Sequence, residues 1–169
     1  SPAGVGVIAV ATLKGEHTLL CPNRIKQSAP RAWQSYAPTL VTRGDGSRAL
    51  ENRFTLETGH PPVLVPGMTP STVEAPIVAA SANAGYLVEL AGGGQTSEAI
   101  FRERAQELRE RLEPGVGYVV NTLYLDPYLW QLQIGRHRLV QKLRAEGHPI
   151  NGVTITAGLP PKDEALALL

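Results

Sequence analysis

Val63-Leu-Val-Pro-Gly-Met-Thr69 begins as a short apolar run and breaks at Pro66-Gly67. A continuous run of that length reads as a strand buried on both faces of a parallel sheet. The signature returns three times. Tyr86-Leu-Val-Glu-Leu90 runs into Gly92-Gly-Gly94, Gly117-Tyr-Val-Val-Asn-Thr-Leu123 carries an amide near its end, and Gly152-Val-Thr-Ile-Thr156 leads into Ala157-Gly158. Helical patterns separate these runs. Ile77–Ala84 is a helix of small residues, with Pro76 in its first turn and Gly85 just past its end. Thr96 or Ser97 caps a second helix whose apolar stripe is Phe101, Ala105, Leu108 and Leu112. A third is expected from about Ile134 to Glu146, with Leu139, Val140 and Leu143 inward, and a last one from Lys162 to Leu169 after Pro160-Pro161. Strand and helix thus alternate four times with no hairpin signal between strands, which predicts a parallel α/β fold. The units average about 27 residues, near the ~30 per unit of an eight-fold barrel. The expectation is the first four βα units of a (β/α)8 TIM-type barrel, with a doubly wound sheet as the alternative.

Residues 1–58 read differently, as a mixed connecting segment ahead of the barrel half at 59–169. Val5–Leu13 is an apolar strand with no basic region before it, so it is not a signal peptide. Thr39–Thr42 and Leu50–Phe54 are expected to pair as a hairpin across the Gly44-Asp-Gly46 turn. Arg43-Gly-Asp45 accordingly reads as a turn tip rather than an adhesion tripeptide. The chain starts Ser1-Pro2 without methionine and stops inside an apolar helical pattern, and is expected to be a piece of a longer polypeptide.

Composition narrows the function. Among 169 residues, 16 Lys+Arg against 15 Asp+Glu leave a net charge of +1, too little for a nucleic-acid-binding field. With 43% hydrophobic and 18% charged residues, a packed core is expected rather than disorder. The single cysteine, Cys21, excludes an internal disulfide or a cysteine-based zinc site. His17, His60, His137 and His148 share no ligand spacing, and no metal site is expected.

The chemistry is expected at the strand C-terminal ends, where both candidate architectures bind ligands. Gly67, Met68 and Thr69 follow the first barrel strand; Gly92, Gly93 and Gly94 follow the second; Asn121 lies late in the third; Ala157 and Gly158 follow the fourth. Glycine lets backbone approach a flat ligand closely. Met68, the only methionine, offers a polarisable thioether to an aromatic ring system. Asn121 is either a ligand donor and acceptor or a rim residue satisfied by loop backbone. Glu89, a carboxylate inside a strand, needs partners whether its role is functional or structural. Asp126 reads as a turn or cap. The dinucleotide glycine spacing is absent from Gly92–Gly94.

Four blocks carry a resemblance: Gly59-His-Pro-Pro-Val-Leu-Val-Pro-Gly-Met-Thr-Pro-Ser-Thr-Val73, Ala82-Asn-Ala-Gly-Tyr-Leu-Val-Glu-Leu-Ala-Gly-Gly-Gly94, Leu125-Asp-Pro-Tyr-Leu-Trp-Gln-Leu-Gln-Ile-Gly135 with Arg138–Lys142, and Thr154-Ile-Thr-Ala-Gly-Leu-Pro160. In this order they resemble the enoyl reductase domain of type I fatty acid synthases, of the fungal β-subunit and actinobacterial single-chain kinds, over residues 37–169. The resemblance implies an FMN-bound barrel that uses NADPH to reduce trans-2-enoyl thioesters carried on acyl carrier protein. It also implies neighbouring synthase domains, a large homo- or hetero-oligomer and a cytoplasmic setting, with neither membrane nor nucleic acid as partner. It carries the cofactor-binding role onto Gly67, Met68, Thr69, Gly92, Gly93, Gly94, Asn121, Ala157 and Gly158. The proton-donating histidine and the phosphate-holding loops of such barrels fall beyond residue 169, so no catalytic residue is assigned, and His137 and His148 do not fill the gap. Four units alone would expose a sheet edge, so stability is expected only beside the other half or within an assembly. Two other readings are a non-catalytic interface segment of the multienzyme and a stand-alone nitronate-oxidising flavin barrel.

Overall fold

The computed structural model describes residues 37–167. The expected strand at Val5–Leu13, together with His17, Cys21, Trp33 and Tyr36, lies outside them. A short hairpin comes first: β1 (Thr39–Thr42) pairs antiparallel with β2 (Arg48–Glu51). At its tip the Ser47 amide donates to the Asp45 carboxylate at 2.9 Å. Hydrogen bonds from Ser47 hold the Asp45 carboxyl below the usual carboxylate range. The second strand stops earlier than Phe54 because Asn52 caps a helix, α1 (Arg53–Thr58). Asn52 Oδ1 accepts from Thr55 N at 2.9 Å, while Thr55 Oγ1 accepts from Asn52 N at 3.0 Å.

The remainder alternates strand and helix. In order come β3 (Leu64–Val65), α2 (Ala75–Asn83), β4 (Leu87–Ala91), a 3₁₀ turn (Gly92–Gly94), α3 (Glu98–Arg111), β5 (Tyr118–Leu123), α4 (Pro127–Gln133), α5 (Leu139–Ala145), β6 (Ile150–Thr156) and α6 (Lys162–Ala167). The four later strands form one parallel sheet in the order β3-β4-β5-β6, so each crossover steps to the neighbouring strand. The predicted parallel α/β class is therefore present. Two expectations need correction. β3 is short and half-buried, and Val63 is half exposed, because β4 is its only pairing partner among the described residues. The helix expected from about Ile134 to Glu146 starts only at Leu139, and a separate helix, Pro127–Gln133, precedes it. Asp126 caps the earlier one by accepting from Leu129 N at 2.9 Å, Pro127 occupies its first turn, and Arg138, at φ 50°, starts the later one.

Alternation along the strands splits the sheet into two faces. Val88, Leu90, Tyr118 and Val120 pack into a core with Ala75, Val78, Ala79 and Ala82 of α2, Phe101, Ala105 and Leu108 of α3, and Leu139, Val140 and Leu143 of α5. Small residues bring α2 close to the sheet, and Phe101 fills the space between. The opposite face carries Glu89, Asn121, Thr154 and Thr156. Ser97 caps α3 by accepting from Ile100 N. Asn83 joins the end of α2 to that of α3, donating to the Arg111 carbonyl at 2.9 Å and accepting from Glu113 N at 3.0 Å.

Two predictions follow from this core. Phe101→Ala should cost about 3–5 kcal/mol by cavity formation. Ile100→Ala on the exposed side of the same helix should cost less than about 1 kcal/mol, as checked by urea denaturation. Tyr118 is buried, and among the described residues its hydroxyl has no partner. Burial pushes its phenol up, so the folded chain holds that proton after the unfolded chain has begun to release it near pH ~10. Stability should therefore fall above pH ~10 by up to about 1.4 kcal/mol per pH unit. Tyr118→Phe should remove that component and be neutral or stabilising at pH 7; denaturation midpoints at pH 7 and 10.5 read both effects.

Candidate functional site

At the C-terminal ends of the strands a buried hydrogen-bond network ties all four together. Glu89, only 2% exposed, places its carboxylate on the face away from the helices. Its Oε2 accepts from the Gly67 amide at 2.8 Å and from Asn121 Nδ2 at 2.7 Å, and its Oε1 accepts from Thr154 Oγ1 at 2.6 Å. Asn121 Oδ1 in turn accepts from Thr156 Oγ1 at 2.8 Å. Among the described residues no cationic side chain pairs with Glu89. Three donors thus meet the cost of burying the carboxylate. They also fix the Asn121 amide, because its NH2 must face the carboxylate. Among the described residues, one Asn121 N–H and one lone pair remain uncommitted.

The loop after β3 folds around Thr72, which is 2% exposed. Its hydroxyl accepts from Met68 N at 2.7 Å and lies 3.0 Å from the Pro66 carbonyl, while Ala91 N donates to the Thr72 carbonyl at 2.9 Å. The Thr69–Pro70 peptide is cis. This loop lies against the glycine turn after β4. A Cβ at Gly67 would collide with the Asn121 side chain, and one at Gly92 with the Asn121 carbonyl and, at 2.7 Å, Gln133 Oε1. A Cβ at Gly93 would meet Thr69 Oγ1 at 2.8 Å, and one at Gly94 would collide with Val73.

Of the residues singled out in the sequence, Gly67, Thr69, Gly92, Gly93 and Asn121 therefore converge at the ends of β3, β4 and β5. Met68 follows Gly67 and is half exposed. Gly94 packs back against Val73 at the start of α2. Ala157 (φ 52°) and Gly158 (φ 116°) are exposed beyond β6, where Gly158 lies against Tyr124 and Leu125 and the Ala157 carbonyl accepts from Leu125 N. The glycines at 67 and 92–94 are thus demanded by close packing within the protein. Thr72, Thr154, Thr156, Gln95 and Gln133 were missed. The two threonines at positions 154 and 156 had a signal, a polar i, i+2 repeat on the face opposite Val153 and Ile155; the glutamines had none.

The histidines lie elsewhere. His60 Nδ1 is 2.9 Å from the Gly85 carbonyl and His148 Nδ1 is 3.2 Å from that of Ala105, both ahead of strands rather than after them. Among the described residues no three His, Cys, Asp or Glu side chains are grouped to hold a metal. No described helix is long and apolar enough to cross a membrane.

A flat heterocycle fits this rim in two respects. The half-exposed Met68 thioether lies beside it, and Asn121 has a donor and an acceptor left over. The strand-end loops at 66–74, 92–97, 124–126 and 157–161 contain no Lys or Arg, so they offer a phosphate no cationic side chain.

No protein-family model matches the chain. The fatty acid synthase subunit beta of Saccharomyces cerevisiae is 37% identical over 172 residues, 96% of this chain and 8% of that protein. That of Schizosaccharomyces pombe is 38% identical over 143 residues, 83% of this chain and 7% of that protein. A fatty acid synthase beta subunit of Emericella nidulans is 43% identical over 134 residues, 78% of this chain and 6% of that protein. The chain is therefore similar, over most of its length, to one segment of fungal fatty acid synthase beta subunits, and spans less than a tenth of theirs.

Removing network members should rank by the donors they strand. Glu89→Ala leaves three donors unpaired and should cost about 3–5 kcal/mol. Glu89→Gln can keep an oxygen toward Gly67 and Asn121 and make the Thr154 hydroxyl an acceptor, so it should cost only about 1–2 kcal/mol, as should Thr154→Val. Equal losses in denaturant titrations of the three variants would refute the network.

Proposed function

We propose that this chain is the first half of the FMN-dependent enoyl reductase domain of a type I fatty acid synthase. The observation that carries the reading is the convergence of Gly67, Thr69, Gly92, Gly93 and Asn121 at adjacent parallel strand ends, in a chain similar to one segment of fungal synthase beta subunits. The strand order supports a (β/α)8 barrel. A doubly wound sheet reverses direction at a switch point, and β3-β4-β5-β6 steps one way throughout. Four further units from the rest of the synthase would pair with the open edges of β3 and β6.

In this reading Met68 would offer the ring system its thioether, the backbone of Gly67, Thr69, Gly92–Gly94, Ala157 and Gly158 would hold it, and Asn121 would give it the remaining N–H or lone pair. FMN would supply two-electron chemistry there, with NADPH as the reductant and a trans-2-enoyl thioester as the acceptor of hydride and a proton. The chain's own residues bind and orient; the buried Glu89 network keeps Asn121 and Gly67 at fixed separation, which is the preorganisation such chemistry needs. No general acid is assigned within this segment. The substrate is an acyl chain on acyl carrier protein, the partners are the other domains of a large oligomeric synthase, and the setting is the cytoplasm.

The test uses the full synthase polypeptide that contains this segment. Stoichiometric flavin released on denaturation, with an absorbance band near ~450 nm, and NADPH oxidation dependent on an enoyl thioester are expected. A flavin-free synthase would refute the reading and leave a scaffold segment. Flavin with nitroalkane-dependent oxygen consumption, and no enoyl reduction, would replace it with a nitronate oxidase.

A further inference from the structure

Two glutamines are fully buried behind the glycine turn, and nothing above uses them. Gln133, the last residue of α4, donates from Nε2 to the Gly92 carbonyl at 2.8 Å and to the Gln95 carbonyl at 3.3 Å, the backbone on either side of Gly93-Gly94. Gln95 donates from its own Nε2 to the carbonyls of Val73, at 3.1 Å, and Ala91, at 3.3 Å. The turn is therefore fastened from behind to α4 and to the start of α2. Every Nε2 partner is a carbonyl, so neither amide can be reversed without setting oxygen against oxygen. That orientation leaves Oε1 of both glutamines buried without a donor among the described residues. An apolar side chain of similar volume would avoid this penalty but would give up the bonds to the Gly92 and Gln95 carbonyls, so the work of the amide at position 133 is to hold that backbone.

We propose that Gln133 is a positioning residue. By holding the Gly92 carbonyl it sets how far the Gly92–Gly94 backbone projects toward the ring system that the strand ends receive. This rests on the flavin reading above and extends it to a residue that touches no ligand. Gln95 serves the same turn from its other side.

The experiment compares the full synthase with its Gln133→Met and Gln133→Asn variants. FMN affinity is measured by equilibrium dialysis with fluorescence detection, thermal unfolding is recorded, and hydrogen exchange is followed in the peptide covering residues 91–96. Positioning predicts that Gln133→Met weakens FMN binding about tenfold, the worth of one lost hydrogen bond, and quickens exchange in that peptide while the melting temperature holds or rises. Gln133→Asn, which is too short to reach Gly92, should weaken FMN binding as much. If Gln133→Met does not fold, the Asn variant, which keeps an amide at this site, carries the same readouts. A purely structural role predicts unchanged FMN affinity in every variant that folds; that result would overturn the proposal while leaving the flavin reading intact. A wild-type synthase without flavin would overturn both.

Discussion

The carboxylate of Glu89 sits inside a parallel sheet, a position where an apolar side chain would cost less, and draws its hydrogen bonds from three other parts of the chain. The donors at Gly67, Asn121 and Thr154 are 22, 32 and 65 residues away in sequence. None of these bonds belongs to a single βα unit. They exist together only when β3, β4, β5 and β6 are all in register, and a one-residue slip of β5 or β6 would turn the Asn121 or Thr154 side chain to the helical face. The network therefore makes correct alignment of the four strand ends a condition for burying that carboxylate.

The two faces of the sheet do different work. The helical face is held by shape: alanines of α2, Phe101, and the leucines of α3 and α5 interdigitate without directional bonds. The other face is held by direction. Glu89, Asn121 and the two threonines need particular atoms at particular distances, and each satisfied amide or hydroxyl restrains the next. Both faces contribute stability; the second also sets geometry at the rim, where Gly67 lies on Asn121 and Gly93 on Thr69 closely enough that a methyl group would not fit.

Close packing also gives the glycine turn its meaning. Its front meets the loop after β3, while its back meets Gln133 and Val73. The turn is a wedge between strand ends and helices rather than a free loop, and its conformation is decided by what surrounds it. A segment held on both sides in this way can present backbone to a ligand with little reorganisation. Segments similar to this one occur in fungal fatty acid synthase beta subunits.

The alternation of apolar runs with amphipathic helices was legible in the sequence, because the periods of strand and helix are local properties of the chain. It yielded the parallel α/β class, the strand-end positions of Gly67, Gly92 and Asn121, and a cap for α3 at Thr96 or Ser97, of which the structure uses Ser97. The end of the hairpin was misread at Asn52, whose side chain caps a helix the strand pattern hid, whereas Asp126 was legible as a turn or cap and does cap α4. Glu89 could be recognised as a residue in need of partners, but not supplied with them. Its donors lie on other strands, and only the register of the assembled sheet brings Thr154 and Asn121 to the same carboxylate. The sequence also could not tell a glycine that frees space for a ligand from one that clears space for a neighbouring side chain. That distinction, like the burial of Gln95 and Gln133, is a matter of which surfaces meet, and long-range packing alone decides it.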